Sequence, residues 1–271
     1  GPVAGRHGPA RTGRGMDELA AHLAGRGWRV LCPDTIGRGL SQWASAPADE
    51  YCLAFYARLA EALLAQLDVA RCHWVGTSMG GAIGTVGASG FFEPALKARL
   101  QSLVLNDNAP QLADAALARI KAYAGSPPVF GRVTELEAFI RSAYRPYGAL
   151  TDAQWRRMAE TSTRRLSDGR VTLHYDPAIV GQFVHHPDDY LIWPHWDALQ
   201  LPVLLLRGVE SDLVLKAVAE QMTTRGPGAR GQLQWAEIAG CGHAPALNVP
   251  EQLNLVSDFI ERADRADSPK K

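Results

Sequence analysis

The sequence Gly-Thr-Ser-Met-Gly at residues 76–80 constrains the fold of this chain more than any other segment. It follows a short apolar run at 72–75 and precedes a stretch of small residues at 81–88. This order predicts a strand, a sharp turn and a helix, which is the context of a G-x-S-x-G nucleophile elbow. Glycines on both sides leave room for a strained turn. The turn would place the Ser78 hydroxyl at a helix N-terminus, where free N–H groups favour an anion.

A nucleophilic serine needs a base and a group that orients the base. In hydrolases with this elbow, the chain order is Ser, then Asp or Glu, then His. The apolar run at 201–206 predicts a buried parallel strand. Asp212 follows this run, near the strand end where ligands meet open α/β sheets. We therefore predict that Asp212 orients the base, with Glu210 as the neighbour that could replace it.

The base is predicted on a glycine-rich loop late in the chain. Residues 232–238 alternate between apolar and polar side chains, which predicts a strand near the sheet edge. His243 lies on the loop that follows and can reach over the sheet to Ser78. His243 is thus the predicted general base and then general acid. His185 and His186 are adjacent and lack the spacing of a known metal site, so we predict no metal and no cofactor.

These segments resemble the α/β-hydrolase superfamily, in particular its bacterial carboxylesterase-like members of the fold-1 branch. The loop at 33–41, the strand end at 105–107 and the helix start at 249–251 are also similar to that family. The resemblance implies an α/β fold, with a mostly parallel sheet, helices on both faces and an inserted helical cap. Dehalogenases and epoxide hydrolases of this fold carry Asp at the elbow, and Ser78 argues against both.

The resemblance implies a core made of residues 1–108 and 199–264, and a helical cap made of residues 109–198. The strand pattern stops in the cap interval, where short helices are predicted at 115–122, 134–142, 151–161 and 177–183. Among the aromatic residues of the cap, we predict Tyr144, Trp155 and Trp193 as substrate contacts. Residues 265–271 are charged and are predicted to form a flexible tail.

The chain departs from the family at its start. His7-Gly8-Pro9 matches the signature that follows the third strand of the family, yet only six residues precede it. These six include two glycines, a proline and an arginine and predict a poor strand, so the N-terminal strands are expected to be missing. A sheet edge left open in this way could be covered by a second copy of the chain, which makes a homodimer a hypothesis.

The expected oxyanion hole also departs from the family. The residue after His-Gly usually donates its backbone N–H to the oxyanion, but here it is Pro9, which has no N–H. The N–H of Met79 remains as one donor. Three alternatives follow: Ala10 supplies the second group from a shifted loop, the enzyme is slow, or Pro9 only shapes the loop and a water or a side chain substitutes. Loss of one donor can cost on the order of 100-fold to 1,000-fold in rate.

Composition limits the partners and the compartment. With 271 residues, 46% of them hydrophobic, the chain can bury a full core. Its 28 basic and 28 acidic residues balance, so neither nucleic acid nor a membrane surface is a predicted partner. Four scattered cysteines and the lack of a secretory leader pattern favour the cytoplasm.

The predicted function is hydrolysis of a small-molecule carboxylic ester with a small to medium acyl group, through a serine acyl-enzyme. Three alternatives stay open. The first is a carbon–carbon bond hydrolase of the meta-cleavage-product type that uses the same three residues. The second is a cofactor-free haloperoxidase activity. The third is a non-catalytic ligand-binding protein on a hydrolase-like scaffold.

Overall fold

A parallel sheet lies at the centre of the computed structural model, which describes residues 1–267. The strands are β1 (Pro2–Arg6), β2 (Arg29–Leu31), β3 (Cys72–Thr77), β4 (Leu100–Asn106), β5 (Val129–Phe130), β6 (Thr163–Arg165), β7 (Val171–Leu173), β8 (Val203–Gly208) and β9 (Leu233–Ile238). Six of them form the central sheet in the order β2-β1-β3-β4-β8-β9, and every neighbouring pair is parallel. The predicted edge position of residues 232–238 is confirmed, because β9 is the last strand.

Helices cover both faces of this sheet, as predicted. They are α1 (Asp17–Gly25), α2 (Pro47–Glu50), α3 (Leu53–Gln66), α4 (Met79–Ser89), α5 (Pro94–Arg99), α6 (Asp114–Ala124), α7 (Val133–Ala143), α8 (Asp152–Thr161), α9 (Gln182–His185), α10 (Trp193–Asp197), α11 (Lys216–Met222) and α12 (Pro250–Asp267). Apolar residues of α1 and α12 pack on one face, and those of α3, α4 and α11 belong to the core on the other face.

The segment before His7 is a strand, which corrects the prediction of a poor one. β1 lies between β2 and β3, and residues 3–6 are buried. Parallel ladders on both sides satisfy its backbone groups, and this pairing outweighs the low strand propensity of Gly5. Pro2 is the first residue of the strand, a position where proline is tolerated. The short strand β2 forms the sheet edge on this side.

The segment between β4 and β8 contains α6 to α10 and a small antiparallel sheet in the order β5-β7-β6. The predicted helical cap thus also contains a small sheet that the sequence analysis missed. Its strands have only two or three residues each, too few to show an alternating pattern. The predicted helices at 115–122, 134–142 and 151–161 correspond to α6, α7 and α8. The fourth is a 3₁₀ helix, Pro177–Gly181, that continues into α9.

The end of the chain is more regular than predicted over the residues that are described. α12 continues to Asp267, so the first three residues of the predicted flexible tail are helical. Residues 268–271 lie outside the described residues. Among residues 1–267, no helix combines the length and the apolar character needed to cross a membrane.

Candidate active site

Ser78 lies between β3 and α4 in the geometry predicted for a nucleophile elbow. It has φ 52° and ψ −120°, a conformation that costs energy for any residue except glycine. Its neighbours make this turn possible. A Cβ on Gly76 would overlap the backbone of Gly80, and a Cβ on Gly80 would overlap the carbonyl of Arg6 in β1. The turn therefore requires glycine at both positions.

His243 lies on the loop after β9, and its imidazole contacts a buried carboxylate. Nδ1 of His243 donates to Oδ2 of Asp107 at 2.7 Å. The loop is held from the cap, because the N–H of Gly242 donates to the Pro146 carbonyl at 2.7 Å. Asn106 also donates from its amide to the carbonyl of Pro245 at 2.8 Å. The Asp107 contact places the proton of a neutral imidazole on Nδ1 and leaves Nε2 as an acceptor.

Asp107 is fully buried directly after β4 and is held by three further hydrogen bonds. Its Oδ2 accepts from the hydroxyl of Ser211 at 2.6 Å, and its Oδ1 accepts from the N–H of Gly208 at 3.0 Å. Its own N–H donates to the Leu206 carbonyl at 2.7 Å. With φ 52°, Asp107 adopts the left-handed conformation that Asp tolerates better than most residues. The carboxylate that faces His243 is thus fixed before any substrate binds.

The prediction that Asp212 orients His243 is wrong. Asp212 is half exposed and forms an ion pair with Arg119, which also lowers the pKa of its carboxyl. Glu210, the predicted replacement, is exposed on the same turn. Both acids follow β8, whereas the acid in contact with His243 follows β4, the neighbouring strand. The signal that could have found Asp107 is its position directly after an apolar strand, at the same edge of the sheet as Ser78.

The two predicted sources of the oxyanion hole lie beside Ser78. The N–H of Met79 belongs to the first residue of α4, so it has no partner within the helix. Pro9 and Ala10 line the same cavity as Ser78. The carbonyl of Pro9 accepts from Nε of Arg38 at 2.8 Å. Because the Pro9–Ala10 peptide is trans, the N–H of Ala10 points away from Arg38.

Arg38 lies under this loop and is fully buried. Besides the Pro9 carbonyl, it donates to the carbonyl of Ile36 at 2.8 Å and to the hydroxyl of Tyr56 at 2.9 Å. Nη2 also contacts Sδ of Met79 at 3.4 Å. Arg38 therefore holds both segments that could form an oxyanion hole. No sequence pattern indicates this role, because an arginine in a glycine-rich loop is usually exposed.

His7 fixes the other end of the same loop. Its Nδ1 donates to the carbonyl of Gly8 at 2.8 Å, and its Nε2 accepts from the N–H of Thr35 at 3.0 Å. Burial lowers the pKa of His7 to about 3, so the imidazole is neutral at physiological pH. Gly8 in turn lies against Ser78, since a Cβ on Gly8 would be 3.6 Å from Cβ of Ser78.

A cavity of about 790 Å³ opens onto Ser78 and His243. Tyr144, predicted as a substrate contact, lines it. Trp155 and Trp193, predicted with it, do not. Trp155 packs into the core of the cap under Arg141, and Trp193 donates its indole N–H to Gln111. Apolar residues missed by the sequence analysis also line the cavity, namely Ile120, Phe139 and Leu173.

In the part of the chain that the structure describes, no cluster of three or more His, Cys, Asp or Glu side chains could hold a metal ion. The chemical groups of the site are a serine, an imidazole that can accept a proton, a buried carboxylate and free backbone N–H groups, all at one edge of the sheet.

The family model of the alpha/beta hydrolase family matches residues 7–254. The chain belongs to this family. It is 35% identical over 266 residues to a curated protein of Cupriavidus necator named 3-hydroxybutyrate-oligomer hydrolase, a match that covers 95% of this chain and 87% of the relative. Alpha/beta-hydrolase membership, predicted from the sequence, is thereby confirmed.

Solved structures have the same fold. An alpha/beta hydrolase from Novosphingobium aromaticivorans is 32% identical, with a TM-score of 0.80 over 96% of this chain and 89% of that one. A crystal structure of a protein from Rickettsia typhi has a TM-score of 0.84 at 23% identity and covers 96% of this chain and 86% of that one. The second likeness supports the fold alone. Both likenesses support the overall fold of this chain over most of its length.

Proposed function

We propose that this chain is a serine hydrolase of carboxylic esters, in which Ser78 is the nucleophile, His243 the base and Asp107 the residue that orients the base. The observation that carries the proposal is the hydrogen bond between His243 and the buried Asp107. His243 and Ser78 line the same cavity. A neutral imidazole held through Nδ1 presents Nε2 as the proton acceptor. A serine activated in this way attacks ester carbonyls.

The reaction would follow two steps. His243 takes the proton of Ser78 as Oγ attacks the ester carbonyl, and then gives it to the departing alcohol, which leaves an acyl-enzyme. His243 next takes a proton from water as the water oxygen attacks the acyl carbon, and then gives that proton to Oγ of Ser78 as the bond to the acyl group breaks and the acid leaves. The N–H of Met79 and the N–H of Ala10 hold the oxyanion in both steps. Pro9 contributes no donor but presents its carbonyl to Arg38, which orients the Ala10 N–H.

The shape of the cavity and the similarity of the chain to a curated relative favour esters of short hydroxy acids as substrates. The cavity wall combines aromatic and aliphatic side chains with a few charged groups, which suits a substrate of modest length that is partly polar. The relative from Cupriavidus necator, at 35% identity, is named for 3-hydroxybutyrate oligomers. Such oligomers carry an ester at every link and are the first natural substrates to test.

The test is hydrolysis of p-nitrophenyl esters from acetate to octanoate, and of a linear 3-hydroxybutyrate trimer, by wild type and Ser78→Ala. We expect turnover by wild type, an optimum at short acyl chains, and no turnover above the uncatalysed rate by Ser78→Ala. A fluorophosphonate probe should label wild type at Ser78. Absence of both turnover and labelling in folded wild type would overturn the proposal and favour a non-catalytic binding protein.

A further inference from the structure

Arg11 is an unusual residue in the wall of the large cavity. The wall contains five charged residues and one histidine, namely Arg11, Arg119, Arg145, Glu210, Asp212 and His243. Of these only Arg11 is buried, with 5% of its surface exposed. Arg119 already pairs with Asp212. Within residues 1–267, no carboxylate forms an ion pair with Arg11; its guanidinium makes one hydrogen bond, from Nη1 to the hydroxyl of Ser162 at 3.1 Å. A guanidinium has five N–H donors, so most of these donors lack a protein acceptor.

Burying a charge without a partner is costly, and buried charges in proteins are normally paired. The stacking of Arg11 on Tyr144, with Cζ 5.3 Å from the ring centroid, compensates only in part. Gly15 leaves room beside the guanidinium, since a Cβ there would be 3.3 Å from Nη2. The site is thus built around a cation that is held in place from two sides but left without an anion.

Arg11 also borders a smaller cavity of about 70 Å³, which adjoins the large one at Gly8 and Tyr147. The acids of this smaller cavity already have partners. Asp17 pairs with Arg14 at 2.8 Å, and Glu18 pairs with Arg157 at 2.9 Å. The unmatched positive charge is therefore that of Arg11.

Arg11 is also close to the reacting serine. The N–H of Arg11 donates to the Gly8 carbonyl at 3.3 Å, which closes a β-turn from Gly8 to Arg11. The Cα atoms at the ends of such a turn are less than about 7 Å apart. Gly8 itself lies against Ser78. A short substrate could therefore place an anionic group at Arg11 and an ester carbonyl at Ser78 at the same time.

We propose that Arg11 binds the free carboxylate of an ester substrate, so that the chain prefers short hydroxy-acid oligomers with an ionised end over neutral esters. This inference rests on the proposed serine hydrolase function. A guanidinium binds a carboxylate through two parallel N–H···O bonds, and Arg11 has the donors left for such a pair. The contact lies outside the bond-breaking machinery and determines specificity.

The experiment compares one substrate with and without its charge. A linear 3-hydroxybutyrate trimer with a free carboxylate and the same trimer as its terminal carboxamide are assayed with wild type, Arg11→Gln and Arg11→Lys. Wild type is expected to prefer the acid by about 30-fold or more in kcat/KM, because loss of one partner of a buried charge pair costs that much or more. Arg11→Gln should lose the preference, chiefly through a higher KM for the acid. Arg11→Lys should keep part of it.

The controls separate a binding role from a structural one. A merely structural Arg11 would lower kcat/KM for both trimers alike and leave their ratio unchanged. Arg156→Gln removes an exposed cation from α8, away from the cavity wall, and should keep the wild-type ratio. Circular dichroism and urea unfolding of Arg11→Gln verify that the variant is folded.

Each outcome decides between the two proposals. If wild type hydrolyses both trimers equally, or hydrolyses only p-nitrophenyl esters, carboxylate binding is overturned while the serine hydrolase stands. A wild-type preference that survives in Arg11→Gln also overturns it, because another group must bind the charge. If wild type hydrolyses no ester at all, the serine hydrolase proposal fails, and the role of Arg11 fails with it.

Discussion

Asp107 is set in place by its surroundings rather than by its contact with His243. The hydroxyl of Ser211 and the N–H of Gly208 hold its carboxylate, and both belong to the end of β8 and the turn that follows. Removing the imidazole would thus leave the carboxylate where it is. An acid fixed in this way can hold one tautomer and one ring orientation of His243, which is what an orienting residue requires.

Two matched substitutions test which acid orients the base. We expect Asp107→Asn to lower kcat by as much as on the order of 10,000-fold, because an amide in place of the carboxylate favours the wrong imidazole tautomer. Asp212→Asn should change kcat by less than about fivefold, because exposed ion pairs such as that with Arg119 contribute little. The measurement is steady-state hydrolysis of p-nitrophenyl butyrate. A larger loss in Asp212→Asn than in Asp107→Asn would reverse the assignment.

The sequence predicted the elbow at Ser78 and the position of His243 because each depends on local features. Small residues around the serine and a glycine-rich loop after the last strand are visible without a structure. The choice between Asp107 and Asp212 is not local. Each acid follows an apolar strand, and only the paths of the turns after β4 and β8 decide which carboxylate reaches the imidazole.

At the scale of elements, the approach of α4 to the sheet determines where Ser78 lies. Every residue of α4 is buried, and its glycines remove side chains where the helix meets the strands. A Cβ on Gly84 would lie 2.5 Å from Cδ1 of Trp74 and 2.6 Å from Cδ1 of Leu103. The helix could therefore carry a side chain here only by moving away from β3 and β4.

We predict that Gly84→Ala lowers the free energy of unfolding by roughly 1–3 kcal/mol, the usual cost of overpacking a core. Gly25→Ala is the matched control, because Gly25 also lies in a helix, α1, but a Cβ there would meet nothing within 4 Å. It should leave stability unchanged or raise it by up to about 1 kcal/mol, since alanine favours a helix. Urea unfolding of both variants checks this, and equal stabilities would contradict the close packing of α4.

Elements that depend on pairing were harder to predict than those with their own pattern. The helices of the cap follow apolar periodicity, and the core strands β3 and β8 contain continuous apolar runs. β1 has weak strand propensity but gains two neighbours in the sheet. The strands β5 to β7 are too short to show any period, and they form because the chain between the cap helices pairs with itself.

For the whole molecule, the core and the cap are tied together around the segment that follows β1. Thr12 donates to the carbonyl of Thr161 at 3.4 Å, and Arg11 to Ser162, at the end of α8. On the other side, the N–H of Ala246 donates to the carbonyl of Tyr147 at 3.1 Å. A substitution that weakens the start of this segment should therefore alter the geometry of the site and lower the global free energy of unfolding.

His7 begins this segment and makes stability depend on pH. Its Nε2 accepts from the backbone N–H of Thr35, so a proton on Nε2 would face a donor inside the core. The folded pKa is lowered to about 3 from an ordinary value near 6.5. Between these values the unfolded chain binds a proton that the folded chain does not. Stability is thus complete above pH 6.5 and falls as the pH is lowered towards 3.

The expected slope from this one group is about 1.4 kcal/mol per pH unit through the window below pH 6.5. The variant His7→Gln cannot titrate, but its amide can still accept from Thr35 and donate to Gly8. Below pH 6.5, its free energy of unfolding should therefore fall less steeply with decreasing pH than that of wild type, by about that slope. His185→Gln changes an exposed histidine on α9 and should not. Urea unfolding of the three proteins at pH 7, 6 and 5 gives the slopes. If His7→Gln and wild type lose stability in parallel, then His7 is protonated in the folded protein, and the loop before Ser78 is not held by a neutral imidazole.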